Sequence, residues 1–375
     1  MLYMKRIAIF HPVDDSYGAS KILAYVIGFL SEKYICDVYI PKNNNVIAGM
    51  LVSYKNINFY ELPSLPVIHR GMYNFKGVLK WLMMNIKLFL LMRKTRGKYD
   101  LIYINTLALF SIVIIAKSLN IKSLVHCHEY LNGSLYGRLI KRTVQYCATV
   151  IVSVSNHVAS YISDFKSNSH VIHNGIPDLG LQKIALLDNG FVNFAMVGRV
   201  MPEKGQWFLL EALKAMPKES LAKIKVHVYG DAPPTRKKLM SKFIEDINLA
   251  RLNDTVIVYG FDPEASEKIQ RLDCCLVPSL MPDPFPTTVL EAMRASKIVI
   301  ATNHGGAKEV IDSGVNGFSI NPNDVKQLSS VLSDVACMTV TERELMGMNA
   351  RKTYSNEFTL EQFKKRFLTT LSLYL

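Results

Sequence analysis

Short runs rich in valine and isoleucine recur along this chain, each followed by a stretch with helical spacing. "RIAIF" (6–10) leads through a glycine-containing turn to a helix expected from about Ala19 to Leu30, and "CDVYI" (36–40) is the next strand. "DLIYINTLALFSIVIIAKSLNIKSLVHCHE" (100–129) reads as strand, helix, strand, and "ATVIVSVS" (148–155) adds another strand. Continuous apolar strands alternating with helices predict a parallel sheet covered on both faces, because such strands have no polar side to offer water. The series then restarts with "FVNFAMVGRV" (191–200), "KIKVHVYGD" (223–231), "TVIVYGF" (255–261), "CCLVPS" (274–279) and "IVIATNHGG" (298–306). At 375 residues the chain exceeds one ordinary core. Two successive doubly wound α/β units, joined near "HNGIPDLG" (173–180), are the simplest account. Ligands of such sheets gather at the carboxyl ends of the strands, so the chemistry is expected there and in the cleft between the units.

Charge separates the halves. Residues 1–176 hold 20 lysines and arginines against 8 acids, whereas 177–375 hold 24 against 23. A basic front half points to an anionic surface or ligand on that side. The six cysteines form no CxxC pair and no metal spacing, which fits a reducing cytosol. The opening "MLYMKRIAIFHP" lacks a signal-peptide layout. "LIYINTLALFSIVIIA" (101–116) is the longest apolar stretch, shorter than the roughly 20 residues a spanning helix needs and interrupted by Asn105, Thr106 and Ser111. No transmembrane segment is expected. Nucleic acid is not an expected partner either, since no aromatic–basic interleaving occurs.

The chemistry-bearing residues cluster after strands of the second series. In "GRVMPEKGQ", Arg199 and Lys204 flank Pro202 at a strand's carboxyl end. A guanidinium and an ammonium there suit a diphosphate, the first by paired hydrogen bonds and the second as a point charge; otherwise they are two solvated loop cations. In "PDPFPTTVLEAMRAS" (282–296) a helix is expected to start at Pro286 or Thr287. The amides of Thr287, Thr288 and Val289 would then point out of its end as an anion site. Glu291, one turn in, could accept both hydroxyls of a ribose, and Asp283, outside the helix, would face what lies beyond the phosphates. A capping acid plus a surface glutamate is the plainer reading. In the front half, His126 and His128 share one side of an extended strand end, the layout of a zinc pair, yet no third ligand stands nearby. His128 is therefore expected in the cleft and His126 as a structural histidine.

Asp283-x7-Glu291 followed by "AMRAS" resembles the E-x7-E signature of the retaining glycosyltransferases of family four, and other pieces fall in family order. These are "YGASKIL" (17–23), "VHCHE" (125–129), "VSVSNHVASYI" (152–162), "VIHNGI" (171–176), "GRVMPEKG" (198–205) and "NHGGAKEVIDSGVNGFSI" (303–320). The resemblance spans nearly the whole chain and implies the GT-B fold, two Rossmann-like domains facing each other across a cleft. It implies an acceptor domain at 1–175, a donor domain at 176–356, and a final helix within 357–375 crossing back to the first domain. By the same resemblance, Arg199 and Lys204 match the diphosphate pair, Glu291 the acid on the donor ribose, and Asp283 the acid on the donor sugar. His128 matches the histidine beside the sugar, Gly18 the glycine loop under the phosphates, and Gly305 and Gly306 a "GG" turn before Glu309. Gly230, Phe261 and Phe285, with Thr287, Thr288 and Val289, complete the expected donor set. Two departures stand out: Asp283 replaces the usual glutamate, and Pro286 replaces the usual glycine, removing one amide.

The resemblance implies transfer of a sugar from a UDP- or GDP-sugar to a glycan hydroxyl with retained configuration, without metal or cofactor. No carboxylate nucleophile is visible beside the sugar position, so the expected route is a front-face substitution assisted by the diphosphate oxygen, with His128 orienting the sugar. A nucleotide-sugar epimerase of the same architecture, or a non-catalytic sugar-nucleotide-binding relic, are the rival readings. The acceptor should meet the basic front domain, where "FKGVLKWLMMNIKLFLLMRKTRGK" (75–98) puts Lys76, Lys80, Lys87 and Lys94 in one stripe. Such a helix could lie on an anionic bilayer or meet a lipid-linked glycan acceptor; alternatively it is a core helix with one solvated edge. The expected setting is a cytoplasmic enzyme of surface-polysaccharide or O-antigen synthesis, peripheral on the inner face of the cytoplasmic membrane.

Overall fold

The computed structural model describes residues 4–15, 17–42, 44–63, 65–68, 74–131, 133–162, 168–180, 186–187 and 189–375. The chain divides into two compact units, Met1–Asn174 with Leu360–Leu375, and Gly175–Thr359.

The first unit is built on a sheet of seven parallel strands: β1 (Arg6–Phe10), β2 (Ile35–Ile40), β3 (Ile57–Glu61), β4 (Leu101–Ile104), β5 (Lys122–Cys127), β6 (Val150–Ser153) and β7 (Ser169–Val171). Their order is β3-β2-β1-β4-β5-β6-β7, with Ile7 beside Cys36 on one flank and Leu101 on the other. β1 and β4 are entirely or almost entirely buried, which their unbroken apolar sequences required. Asp37 in β2 is the exception in the core: its carboxylate takes Arg6 at 3.0 Å, Lys98 at 2.9 Å, Tyr99 and Asn58. Burial alone would raise its pKa, but these hydrogen bonds outweigh burial and lower it. The helix Leu360–Ser372 belongs to this unit, burying Phe363, Phe367 and Leu371 in the same core.

The second unit repeats the scheme with β8 (Val192–Val197), β9 (Ile224–Tyr229), β10 (Val256–Gly260), β11 (Cys274–Val277), β12 (Ile298–Thr302) and β13 (Phe318–Ile320), all parallel, in the order β10-β9-β8-β11-β12-β13. Cys274 and Cys275 are buried free thiols in β11. Residues 357–359 stay with this unit, since Phe358 is buried against Phe285 and its carbonyl accepts the Ile176 amide.

In both sheets the strand order reverses direction at one point, between β1 and β4 and between β8 and β11. The crossover helices leave to opposite sides there, so the strand ends open a crevice.

The helix Phe75–Lys94 departs from the core reading. Asn74 caps it through Gly77 N–H, and only Leu88 and Met92 are buried. No helix among the described residues is long and apolar enough to cross a membrane.

Candidate functional site

The sequence-predicted polar residues follow strand ends, His128 after β5, Arg199 and Lys204 after β8, and Asp283, Thr287, Thr288 and Glu291 after β11, and the two units' strand ends hold different chemistry. In the second unit, β8 runs into Gly198 and Arg199. Gln206, fully buried, donates to the Arg199 carbonyl (2.9 Å) and accepts the Met201 amide (3.3 Å), which fixes the loop. Gly230, after β9, lies against this loop: a Cβ there would stand 1.9 Å from the Gly198 carbonyl oxygen. Arg199 itself is exposed. The short helix Pro202–Lys204 then presents Lys204, whose Nζ lies 2.7 Å from Asp283 Oδ2. Lys204 and Asp283 are thus one ion pair, partly open to solvent.

Asp283 is held from behind by the glycine pair. The Gly306 amide donates to the Asp283 carbonyl at 2.8 Å, and at Gly305, with φ +61°, a Cβ would approach that carbonyl to 2.3 Å. His304 and Thr302 both donate to the Ser279 carbonyl, at 2.9 and 2.7 Å, and tie the end of β12 to the end of β11. The helix Thr287–Arg294 follows, with Pro286 as a cap that makes no side-chain hydrogen bond. The Thr287 and Thr288 amides have no backbone acceptor among the described residues. Val289 differs from expectation: its amide donates to the Pro286 carbonyl at 3.2 Å and its side chain is buried, so it offers nothing to a ligand. An extended Pro286 turns its carbonyl inward, closing an i→i+3 bond. Phe285 is a second correction. It is 5% exposed, packed against Phe358, and anchors the turn instead of presenting a face. Glu291 is half-buried one turn in, and its carboxylate makes no hydrogen bond or ion pair among the described residues. Phe261, which follows β10, is 70% exposed, and in β10 the Tyr259 ring stacks on Tyr229 (centroids 4.7 Å apart).

The first unit's crevice is lined by uncharged imidazoles joined through hydrogen bonds. Asn105, buried at the end of β4, uses its whole amide. Its Nδ2 donates to His11 Nδ1 (3.2 Å) and to the Ala19 carbonyl (3.4 Å), and its Oδ1 accepts from Tyr103 (2.9 Å) and His128 Nε2 (3.1 Å). The proton positions follow. His11 accepts on Nδ1, so it carries its proton on Nε2 and donates to Ser20 Oγ (3.0 Å), which donates to Asp15 (2.6 Å). His128 donates from Nε2, which leaves Nδ1 as an acceptor. Tyr103 has spent its proton on Asn105, so it accepts from His126 Nδ1 at 2.6 Å.

Burial dominates the ionisation here. It pushes His11 down to about 4, against the opposing pull of Asp15 and Asp14, and His126 down to about 3. His128 falls well below its ordinary value through burial, then His126 and His11. All three imidazoles are neutral at pH 7. The rings of His126 and His128 stand 4.2 Å apart, and among the described residues no group of three histidines, cysteines or acids could hold a metal. Glu129 is bonded to Thr106 Oγ1 and the Leu107 amide. Gly18 starts the helix Gly18–Ser31, and a Cβ there would meet nothing within 4 Å, so space, not backbone strain, accompanies it.

Sequence reasoning missed Asn105 and His11. Both are polar residues where an apolar strand ends at the crossing point, which was the available signal.

Two family models match the chain, glycosyl transferases group 1 over residues 181–353 and glycosyltransferase family 4 over 52–178. The chain belongs to the group 1 glycosyltransferases. Its fold is of the GT-B kind. It is 26% identical to a lipopolysaccharide 1,2-N-acetylglucosaminetransferase of Salmonella typhimurium, over 45% of either chain. It is also 26% identical to a UDP-Gal:alpha-D-GlcNAc-diphosphoundecaprenol alpha-1,3-galactosyltransferase of Escherichia coli, over 52% of this chain and 49% of that one. The chain spans less than two thirds of the length of the curated relatives it matches. Among solved structures, Anabaena HepE in complex with UDP and glucose superposes with a TM-score of 0.79 at 19% identity, covering 98% of this chain and 99% of that one.

Proposed function

We propose that this group 1 glycosyltransferase moves a sugar from a UDP- or GDP-sugar to a hydroxyl of a lipid-linked glycan, with retention and without a metal, in bacterial surface-polysaccharide synthesis. One observation carries the reading: at the crossing point of the second sheet, a cation and a carboxylate meet at 2.7 Å beside a helix end whose first amides are unspent. The leaving diphosphate gains negative charge as the glycosidic bond breaks. Arg199, the Thr287 and Thr288 amides, and Lys204 as it exchanges Asp283 for the diphosphate are groups that stabilise such charge, the usual source of large rate effects. Asp283, already fixed by Lys204 and the Gly305–Gly306 turn, is the acceptor for a sugar hydroxyl, and Glu291 for the ribose. His128, neutral with a lone pair at Nδ1, can accept from a second sugar hydroxyl. It orients the sugar and is not a nucleophile. The shorter Asp283 and the missing amide at Pro286 change how the sugar is held, not the charge that receives the diphosphate.

The relatives that act on lipopolysaccharide and on a diphosphoundecaprenol-linked sugar support the acceptor class. The basic first unit supports a peripheral place on the anionic inner face of the membrane. The test is incubation with UDP- and GDP-sugars, with and without a lipid-linked glycan. Free nucleoside diphosphate together with a glycosylated lipid supports the proposal. An isomerised donor without acceptor means an epimerase, and tight binding without turnover means a relic.

A further inference from the structure

The helix Phe75–Lys94 packs by one side only. Trp81, Leu88 and Met92 turn inward, with Trp81 donating from Nε1 to the Pro66 carbonyl (3.0 Å) and stacking on Phe110. At about 100° per residue, Phe75, Val78, Leu79, Leu82, Ile86 and Leu90 fill an outward arc. They are exposed by 83, 47, 47, 46, 59 and 55%. Lys76, Lys80, Lys87 and Lys94 line one border of that arc. The helix Leu135–Cys147 is built likewise: Leu135, Tyr136, Leu139 and Tyr146 are exposed, among Arg138, Lys141 and Arg142. Between the two helices lies an apolar pocket of about 140 Å³. Val78 and Trp81 line one wall, Tyr136, Leu139 and Ile140 the other, and Phe110 is among its lining.

An apolar surface of this extent on a water-soluble face calls for a cover. Neither helix contains an acidic residue, so a second copy packed here would set cation against cation. An anionic bilayer satisfies both halves of the pattern: its chains accept the apolar arc, and its phosphates accept the lysine border. We infer that the two helices Phe75–Lys94 and Leu135–Cys147 form a bilayer-docking face, and that the pocket between them takes the end of one acyl chain of an anionic phospholipid. A cavity of this size, lined by aliphatic and aromatic side chains, holds a small hydrocarbon such as benzene, and so has room for a few methylenes. The inference deepens the membrane-peripheral part of the proposed function.

The chain has two tryptophans, Trp81 in this face and Trp207 in the other unit, so Trp207→Phe leaves Trp81 as the sole reporter. The full chain is mixed with vesicles of phosphatidylcholine, with and without phosphatidylglycerol, and with mid-chain brominated versions of both. Expected are binding to the anionic vesicles only and quenching of Trp81 by the brominated chains. Leu82→Glu with Ile86→Glu should weaken partitioning at least 20-fold, and Lys80→Gln or Lys87→Gln about fivefold each at low salt. Val78→Phe, which fills the pocket, should keep binding but reduce the quenching. The inference is overturned by absence of anionic-vesicle binding, by quenching untouched by Val78→Phe, or by a dimer in light scattering that Leu82→Glu splits. Glycosyl transfer from donor to a detergent-dispersed lipid-linked glycan is followed in parallel without vesicles. Turnover with no vesicle binding sinks this inference alone, whereas vesicle binding with no turnover sinks the transferase reading.

Discussion

The crossing point of the first sheet, between β1 and β4, and that of the second, between β8 and β11, share a topology and carry opposite chemistry. In the first, burial strips charge from His11, His126 and His128, and Asn105 spends its four hydrogen-bonding positions on His11, His128, Tyr103 and the Ala19 carbonyl. In the second, the groups stay charged or unspent: Lys204 with Asp283, the amides of Thr287 and Thr288, and Glu291. A network of neutral imidazoles whose open positions, His128 Nδ1 and His126 Nε2, are bare acceptors keeps a shape and has little with which to attract an anion. A half-exposed ion pair beside free amides costs little to rearrange and can exchange partners for a diphosphate. On the proposed function one doubly wound sheet would serve orientation and the other charge, and substitutions should separate the two roles.

The largest effect is expected in the second unit. Lys204→Ala should lower turnover by about 10²–10³-fold, as loss of one preorganised charge-stabilising group does, while the thermal midpoint moves little because the lost pair is partly solvated. Steady-state nucleoside diphosphate release and circular-dichroism melts check both parts; a large stability loss would make Lys204 a structural residue.

Acid should strike the first unit harder. His11 and His126 titrate near 6.5 when unfolded but at about 4 and about 3 in the fold, so between those values the unfolded chain binds more protons. Their contribution is complete above pH ~6.5 and is lost as the pH falls below it, on the order of 2–3 kcal/mol per histidine by pH ~4.5. In the second unit His227 is lowered by burial and then Lys225. Melts followed through Trp81 in Trp207→Phe, and through Trp207 in Trp81→Phe, should diverge between pH 7 and 4.5, with the Trp81 transition falling further. Parallel falls would erase the contrast.

Much of this was legible in the sequence, and the limits are physical. The strands were readable because buried parallel strands must be apolar throughout, and "RIAIF" and "CCLV" admit no other use. For Lys204 and Asp283 the sequence showed only that each follows a strand end, and their meeting at 2.7 Å came from the fold. Phe285 and Val289 were misjudged because a motif specifies neighbours along the chain, whereas Phe358, which covers Phe285, comes from the far end of the unit. Asn105 escaped because a lone polar residue ending an apolar run looks like an interruption until His11, Tyr103 and His128 converge on it. The outward arc of Phe75–Lys94 was also beyond the sequence, since periodicity cannot tell which apolar side a fold will cover.

Two smaller effects sharpen the contrast. Glu291→Ala removes a carboxylate with no internal partner, so stability should hold while kcat/KM for donor falls about 10–100-fold, the worth of a charged hydrogen bond. Asn105→Ala does the reverse, stranding His11, Tyr103 and His128. It should cost about 1–3 kcal/mol, seen as a drop of several degrees in the Trp81 transition with Trp207 unmoved. A Trp207 shift of equal size would mean the network is not confined to the first unit.

The central claim is that the second sheet's crossing point is an anion-exchange site built for a nucleoside diphosphate. Calorimetric titration of the full chain with UDP and with GDP tests it directly. The account predicts that one of the two binds, and that Lys204→Ala weakens it at least tenfold while Asn105→Ala leaves the affinity within twofold. Absence of binding by both nucleotides, or binding indifferent to the charge at position 204, would contradict it.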